Sequence, residues 1–304
     1  MEIKSFKELT DRVESSGKCF RVAVASAGDR HTLEAVVAAK RKGIISPVLV
    51  GDAGEIQSIL GSLNESVPNE DIVNVPDPAE AAAKAVALVN EGKAELLMKG
   101  RLDTAVLLRA VVNPKTGLGT GKLMSMFLLA EIPGYHKLVS IIDGAMIPYP
   151  TLEQKKGIIE NAVNIFRELG YDCPKVALLA CIEKVNPKMP ETVDAAALKQ
   201  MNISGEIGNC IVEGPISYDC AMNPESARQK NYSSPVTGDC DILVAPNIHA
   251  ANIMAKMLIT HTRTVTAGFV TGAKCPIIMS SRGSSPEEKL TSIELALASM
   301  LGKK

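Results

Sequence analysis

The chain has no tryptophan, and aromatic residues make up only 3% of its 304 positions. Large rings therefore cannot fill the interior. The hydrophobic 46% must build an aliphatic core from Val, Ile, Leu and Ala, which suits buried parallel strands under covering helices. An excess of one charge is missing too. The formal net charge is −1 with no basic block, which argues against nucleic acid as a partner. No apolar run reaches the length needed to cross a membrane. The opening MEIKSFKELTDRVESSGK predicts an amphipathic polar helix and not a signal peptide. The seven cysteines are scattered without a C-x-x-C pair, which predicts reduced, mostly buried thiols in a cytoplasmic protein. The four histidines show no H-E-x-x-H and no ligand pairing, so no metal site is expected.

What is present is an alternation of apolar runs and amphipathic stretches. FRVAVA (20–25), SPVLVGD (46–52), AELLMKG (94–100), KVALLAC (175–181), GNCIVEGP (208–215), CDILVAP (240–246) and CPIIMSS (275–281) read as strands. DPAEAAAKAVALVNEGK (77–93) opens a helix with Asp77 at the N-cap, Pro78 at the first turn and Glu80 at N3, a capping box. TLEQKKGIIENAVNIFRELG (151–170) is the longest helical pattern. LMSMFLLAEI (123–132) and HKLVSIID (136–143) are strands separated by Pro133-Gly134-Tyr135, short enough for a hairpin with antiparallel pairing. The rhythm predicts an α/β architecture with largely parallel sheets. In such sheets ligands bind beyond the carboxyl ends of strands. That rule nominates residues 26–29, Lys99-Gly100-Arg101, Asp143-Gly144, Pro246-Asn247 and residues 280–283.

KTGLGTGKL (115–123) invites a nucleotide reading and does not satisfy one. A phosphate loop needs Gly, four residues, then Gly-Lys-Ser/Thr. Here Leu123 follows Gly121-Lys122, and Thr116 stands where the first glycine belongs. Gly117, Gly119 and Gly121 run G-x-G-x-G and lead into a strand, whereas the dinucleotide turn leads into a helix. Two readings remain: a flexible connection, or a loop beside another phosphate-bearing ligand.

IIMSSRGSSPEEKLTSIELAL (277–297) carries more. A buried strand ends in two serines, an arginine and a glycine, and a helix starts at once. Ser285 suits the N-cap, Pro286 N1 and Glu288 N3. Hydroxyls, a guanidinium and open helix N–H groups together suit an anion. The plainer reading is a capped helix with Arg282 in an ion pair.

SSRGSSPEEKL resembles the terminal signature of the phosphate acetyl/butyryltransferase family. The likeness extends to ARQKNYSSPVTGDCDILVAPNIHAANIMAKML (227–258), MKGRLDTAVLLRAV (98–111) and SIIDGAMIPYPTLEQKKGIIENAV (140–163), in the family's order over roughly residues 20 to 300. MKG and the E-Q-K-x-x-I-I-E-N-A run point to its butyryl branch. The resemblance implies a fold related to isocitrate and isopropylmalate dehydrogenases, with two α/β domains flanking a cleft. The first would hold residues 1–130 plus 271–304 and the second 131–270. It implies the reaction of acyl-CoA with inorganic phosphate to give acyl phosphate and CoA, so that coenzyme A is a substrate and no cofactor or metal is needed. It implies a homodimer or larger homo-oligomer. It also places the 115–123 loop near CoA or phosphate.

The resemblance further implies that Arg282 binds phosphate or polarises the acyl carbonyl and that Ser281 donates a hydrogen bond, with Gly283 beside them. Glu287 and Glu288 are the alternatives for the acid that takes the thiol proton. Arg109 either faces phosphate or is solvated on its helix, and Lys99 either reaches phosphate or is exposed. Asn247 and Asn252 bracket a helix start, where capping competes with contact to the acyl or pantetheine end. Asp143 ends a strand, where it would orient a cationic group. Acyl length turns on side chains such as Met124, Met126, Phe127, Met146, Ile147 and Tyr149, although methionines there are core filling first. The competing readings are a phosphate acetyltransferase, a silent acyl-CoA-binding protein of the same fold, and a metal- and NAD-dependent dehydrogenase, whose Asp-rich and dinucleotide patterns are missing.

Overall fold

The computed structural model describes residues 2–281 and 283–303. The chain opens with α1 (Phe6–Ser15), β1 (Phe20–Ala25), α2 (Arg30–Arg41), β2 (Ile45–Gly51), α3 (Ala53–Ser62) and β3 (Ile72–Asn74). It continues through α4 (Pro78–Asn90), β4 (Leu96–Lys99), α5 (Thr104–Val111), β5 (Ser125–Glu131), β6 (Val139–Ile142), α6 (Leu152–Glu168) and β7 (Lys175–Leu179). Then come α7 (Pro190–Ile203), β8 (Ile211–Ile216), α8 (Tyr218–Met222), α9 (Pro224–Gln229), β9 (Ile242–Val244) and α10 (Ile248–His261). The last elements are β10 (Val265–Thr271), β11 (Ile277–Ile278) and α11 (Pro286–Gly302).

Two compact units result. One is Leu9–Lys122 with Ala267–Leu301; the other is centred on Leu123–Thr266. In the first, the strand order is β3-β2-β1-β4-β11-β10. Every pair is parallel except β10 with β11. In the second the order is β5-β6-β9-β7-β8, with β5–β6 antiparallel and the rest parallel. The expected hairpin is therefore present, and the Tyr135 N–H closes its turn on the Ile132 carbonyl at 3.0 Å. The hairpin explains why the second unit starts at Leu123 and not at 131: β5 pairs with β6, so both belong to one sheet. Likewise the chain returns to the first unit at Ala267, because β10 pairs with β11.

Local chemistry explains the elements. All residues of β4 and β9 are buried, as central parallel strands require. Helices start on side-chain caps placed just past strands. Asp29 accepts from Thr32 N–H, Asp52 from Glu55 N–H, and Asp77 from the N–H groups of Ala79 and Glu80. Four cysteines are buried, while Cys19, Cys173 and Cys181 are exposed.

Candidate active site

The parallel strands β1, β4 and β11 are neighbours, so their carboxyl ends open on the same side of the sheet. At β4 the chain turns tightly. The Gly100 N–H binds the Ala25 carbonyl at 2.8 Å, and the Arg101 N–H binds that of Ser26 at 2.7 Å. A Cβ on Gly100 would stand 2.2 Å from the Ser26 oxygen, so only glycine allows this approach. Lys99 is neither solvated nor poised on the surface. It is 5% exposed, and its ammonium donates to the carbonyl of Leu102 at 3.0 Å. Arg109 is exposed on α5.

The segment after β11 builds the predicted strand-to-helix turn. Ser281 and Gly283 are exposed, and Arg282 lies outside the described residues. The Ser284 N–H closes the turn on the Ser281 carbonyl at 3.1 Å. Ser285 and Glu288 form a reciprocal capping box. The Glu288 N–H donates to Ser285 Oγ at 3.2 Å, and the Ser285 N–H donates to Glu288 Oε2 at 3.1 Å. Glu287, the next residue, is exposed. Hydrogen bonding from Ser285 holds its carboxyl below the usual range, with a smaller contribution from His31, so it is ionised at neutral pH.

Asp143, Asn247 and Asn252 gather in the other unit, beyond the paired ends of β6 and β9. Asn247 caps α10, accepting from the Ala250 N–H at 3.1 Å, and the Asn252 amide donates to the Gly144 carbonyl at 3.0 Å. Asp143 is 4% exposed. Its Oδ1 accepts from the N–H groups of Ala145 and Met146 at 2.9 and 3.0 Å, while Oδ2 is buried without a well-formed hydrogen bond. Burial raises this carboxyl's pKa, and the backbone N–H groups around it oppose that shift.

A cavity of 440 Å³ opens at the carboxyl ends of β7 and β9 in the same unit. Leu179, Ala245, Pro246, Ala250 and Met254 make its wall largely aliphatic, and Tyr218 adds a ring. The side chains expected to set acyl length are elsewhere. Met126 and Phe127 are core residues, with Phe127 edge-on to Phe166, and Tyr149 is 71% exposed against His249. The strand-end rule pointed at Pro246, but the part played by Tyr218 and Met254 depends on which elements meet.

Two other motifs have structural work. In the 115–123 loop a Cβ on Gly117 would meet the Val111 oxygen at 2.3 Å. Thr120 Oγ1 donates to Gly272, and the Lys274 N–H donates to Leu118 at 2.9 Å. The loop is thus anchored at Leu118 and Thr120 to residues 272–274. Asp239 and Asp241 sit at the amino end of β9, away from the ligand end. Lys137 is 2.7 Å from each, and His136 is 2.8 Å from Asp239. Sequence reading also missed a cluster past β8. Lys230 donates to Glu183, Ser217 and Asp219 at 3.0 Å each, with Cys220 Sγ 3.6 Å from Glu183. Glu183, Asp219 and Cys220 have ligand-like spacing, but the ammonium already occupies the position between the carboxylates.

Comparison with known proteins bears directly on this arrangement. Residues 77–297 match the family model described as phosphate acetyl/butaryl transferase. The phosphate butyryltransferase of Clostridium acetobutylicum is 42% identical, covering 97% of this chain and 97% of that protein. The phosphate acetyltransferase of Thermotoga maritima is 40% identical, covering 95% and 98%. The crystal structure of a branched-chain phosphotransacylase from Enterococcus faecalis V583 superposes with a TM-score of 0.80 at 30% identity, covering 92% and 98%.

Proposed function

The chain belongs to the phosphate acetyl/butaryl transferase family, and from that membership we propose that it moves a short-chain acyl group between coenzyme A and inorganic phosphate. Butanoyl-CoA with phosphate giving butanoyl phosphate and CoA is the leading form, and acetyl is the second reading because relatives named for both groups are almost equally similar. The observation that carries the proposal is the turn after β11. It sets the exposed Ser281 and the amino end of α11 beside an ionised, exposed Glu287.

Acyl transfer needs a seat for phosphate, donors for the developing oxyanion and a group to handle the thiol proton. A phosphate oxygen attacks the thioester carbon, the carbon–sulfur bond breaks, and the CoA sulfur leaves with the proton that the attacking hydrogen phosphate gives up, relayed through Glu287. In the reverse direction Glu287 takes the thiol proton as sulfur attacks the acyl phosphate and inorganic phosphate leaves. Glu288 is the weaker candidate because its Oε2 is engaged by the cap. Ser281, Gly283 and Arg282 receive phosphate and the carbonyl oxygen, with Arg109 as a supporting cation and Lys99 contributing its charge from its buried place on the Leu102 carbonyl. Within the other unit, taken by itself, Asp143, Asn247 and Asn252 are candidate substrate contacts, as is the apolar cavity.

The same reading includes kinship with isocitrate and isopropylmalate dehydrogenases, supported by the parallel α/β units and the chain's return to its first unit. It also includes a cytoplasmic homo-oligomer. No helix of the described residues is long and apolar enough to cross a membrane. The exposed Ile253 and Met257, one turn apart on α10, offer an apolar contact surface.

The test is thiol release from acyl-CoAs of two to six carbons, with and without phosphate. Phosphate-dependent release peaking at four carbons is expected. A peak at two would assign the acetyl reaction, and absence of release from folded protein would leave a silent binding protein.

A further inference from the structure

Lys289 is a buried cation that the proposed reaction does not use. It lies one turn into α11 and is only 4% exposed. Lysine is almost never buried unless paired; most later interior positions of this helix are small or apolar, and its other buried charge, Glu294, is held by Lys42 at 2.7 Å. Packing alone therefore does not call for a lysine. Its hydrogen-bond partner is not a carboxylate. The Nζ donates to the hydroxyl of Ser280 at 3.0 Å. Asp29 and Glu288 act on it electrostatically, but their carboxylates are already engaged. Asp29 accepts from the Thr32 N–H at 2.9 Å, and Glu288 accepts from Ser285. Burial lowers the lysine's pKa against these charges.

The position of Lys289 gives the charge a use. Its backbone N–H binds the Ser285 carbonyl at 3.1 Å, and its ammonium binds Ser280. One residue thus grips both ends of the turn that carries Ser281 and Gly283. The bond also sets the direction of a proton. A serine hydroxyl that accepts from an ammonium turns its own hydrogen away from that cation. Among the described residues the Ser280 hydroxyl has no acceptor for that hydrogen. Positive charge beneath a helix amino terminus also adds to the field of its open N–H groups.

We propose that Lys289 is a positioning residue for phosphate: it holds Ser280 so that the Ser280 hydroxyl donates to the bound phosphate, and it supplies buried positive charge under the turn. This rests on the acyl-transfer reading above. Lys289→Met and Ser280→Ala would each be compared with the wild type for thiol release across phosphate and butanoyl-CoA concentrations, with thermal unfolding as the control for folding.

The phosphate KM is expected to rise about tenfold in Lys289→Met and less in Ser280→Ala, as for loss of a charge-assisted hydrogen bond. The KM for butanoyl-CoA should stay within about twofold, a split that loss of stability alone would not give. Because the two act as a unit, the double variant should be no worse than Lys289→Met. If Lys289→Met does not fold, Ser280→Ala decides alone. A phosphate KM within about twofold of wild type in the folded variants overturns the role of Lys289 while acyl transfer stands. Wild-type protein without phosphate-dependent release overturns the acyl-transfer reading, and this role with it.

Discussion

Glu287 and Glu288 are adjacent in sequence and differ in what they touch. Glu288 returns to the Ser285 N–H at 3.1 Å, and Glu287 is exposed and ionised. Glutamine keeps the capping bond at N3, so Glu288→Gln should keep stability and hold kcat within a few-fold. Glu287→Gln removes the proton acceptor and should lower kcat about 100-fold. Steady-state thiol release on both variants checks this, and equal losses would move the base to Glu288. Asp143 makes a prediction about pH. Its folded pKa is raised by burial, so the folded chain holds this proton more tightly than the unfolded chain. That contribution is complete below the ordinary carboxylate range and is lost as pH rises through the raised folded value. Denaturant midpoints across pH should therefore show wild type losing stability relative to Asp143→Asn as pH rises. Parallel curves would sink the assignment. Asp143 at a strand end was legible in the sequence; its burial was not, because neighbouring strands and loops provide it.

At the scale of the element, caps decide where the helices begin. Thr151 and Gln154 form a reciprocal box on α6, as Ser285 and Glu288 do on α11. Loss of a Ser or Thr cap costs about 1 kcal/mol. Thr151→Ala and Ser285→Ala should each lose about that much by urea unfolding. Only Ser285→Ala should also lower turnover, because its hydroxyl holds the Glu287 carboxylate down. The Asp77 and Ser285 caps could be read locally, since a cap and its helix are contiguous. The short β3 (Ile72–Asn74) and α8 (Tyr218–Met222) carry too few residues for a periodic signal.

At the scale of the whole molecule, one cluster among the described residues, spread over three segments, has ligand-like spacing for a metal ion. Lys230 stands 3.0 Å from both Glu183 and Asp219. A divalent ion would have to displace an ammonium there, so activity should survive EDTA unchanged in a thiol-release assay. Loss on chelation with recovery on adding metal would contradict this. Sequence alone determined the α/β alternation, the strand ends, the hairpin, the capped turn before α11 and, by resemblance, the reaction class, because hydrophobic period, caps and motifs are contiguous in the chain. Tertiary structure decided that Lys99 is buried, that the 115–123 loop is strapped to residues 272–274, and that an aliphatic cavity lies past β7 and β9. It also decided that Lys289 reaches Ser280 with Asp29 acting on it across about 260 residues. The reason is physical: burial, close approach and charge coupling depend on which distant segments meet, and no local window of sequence contains both partners.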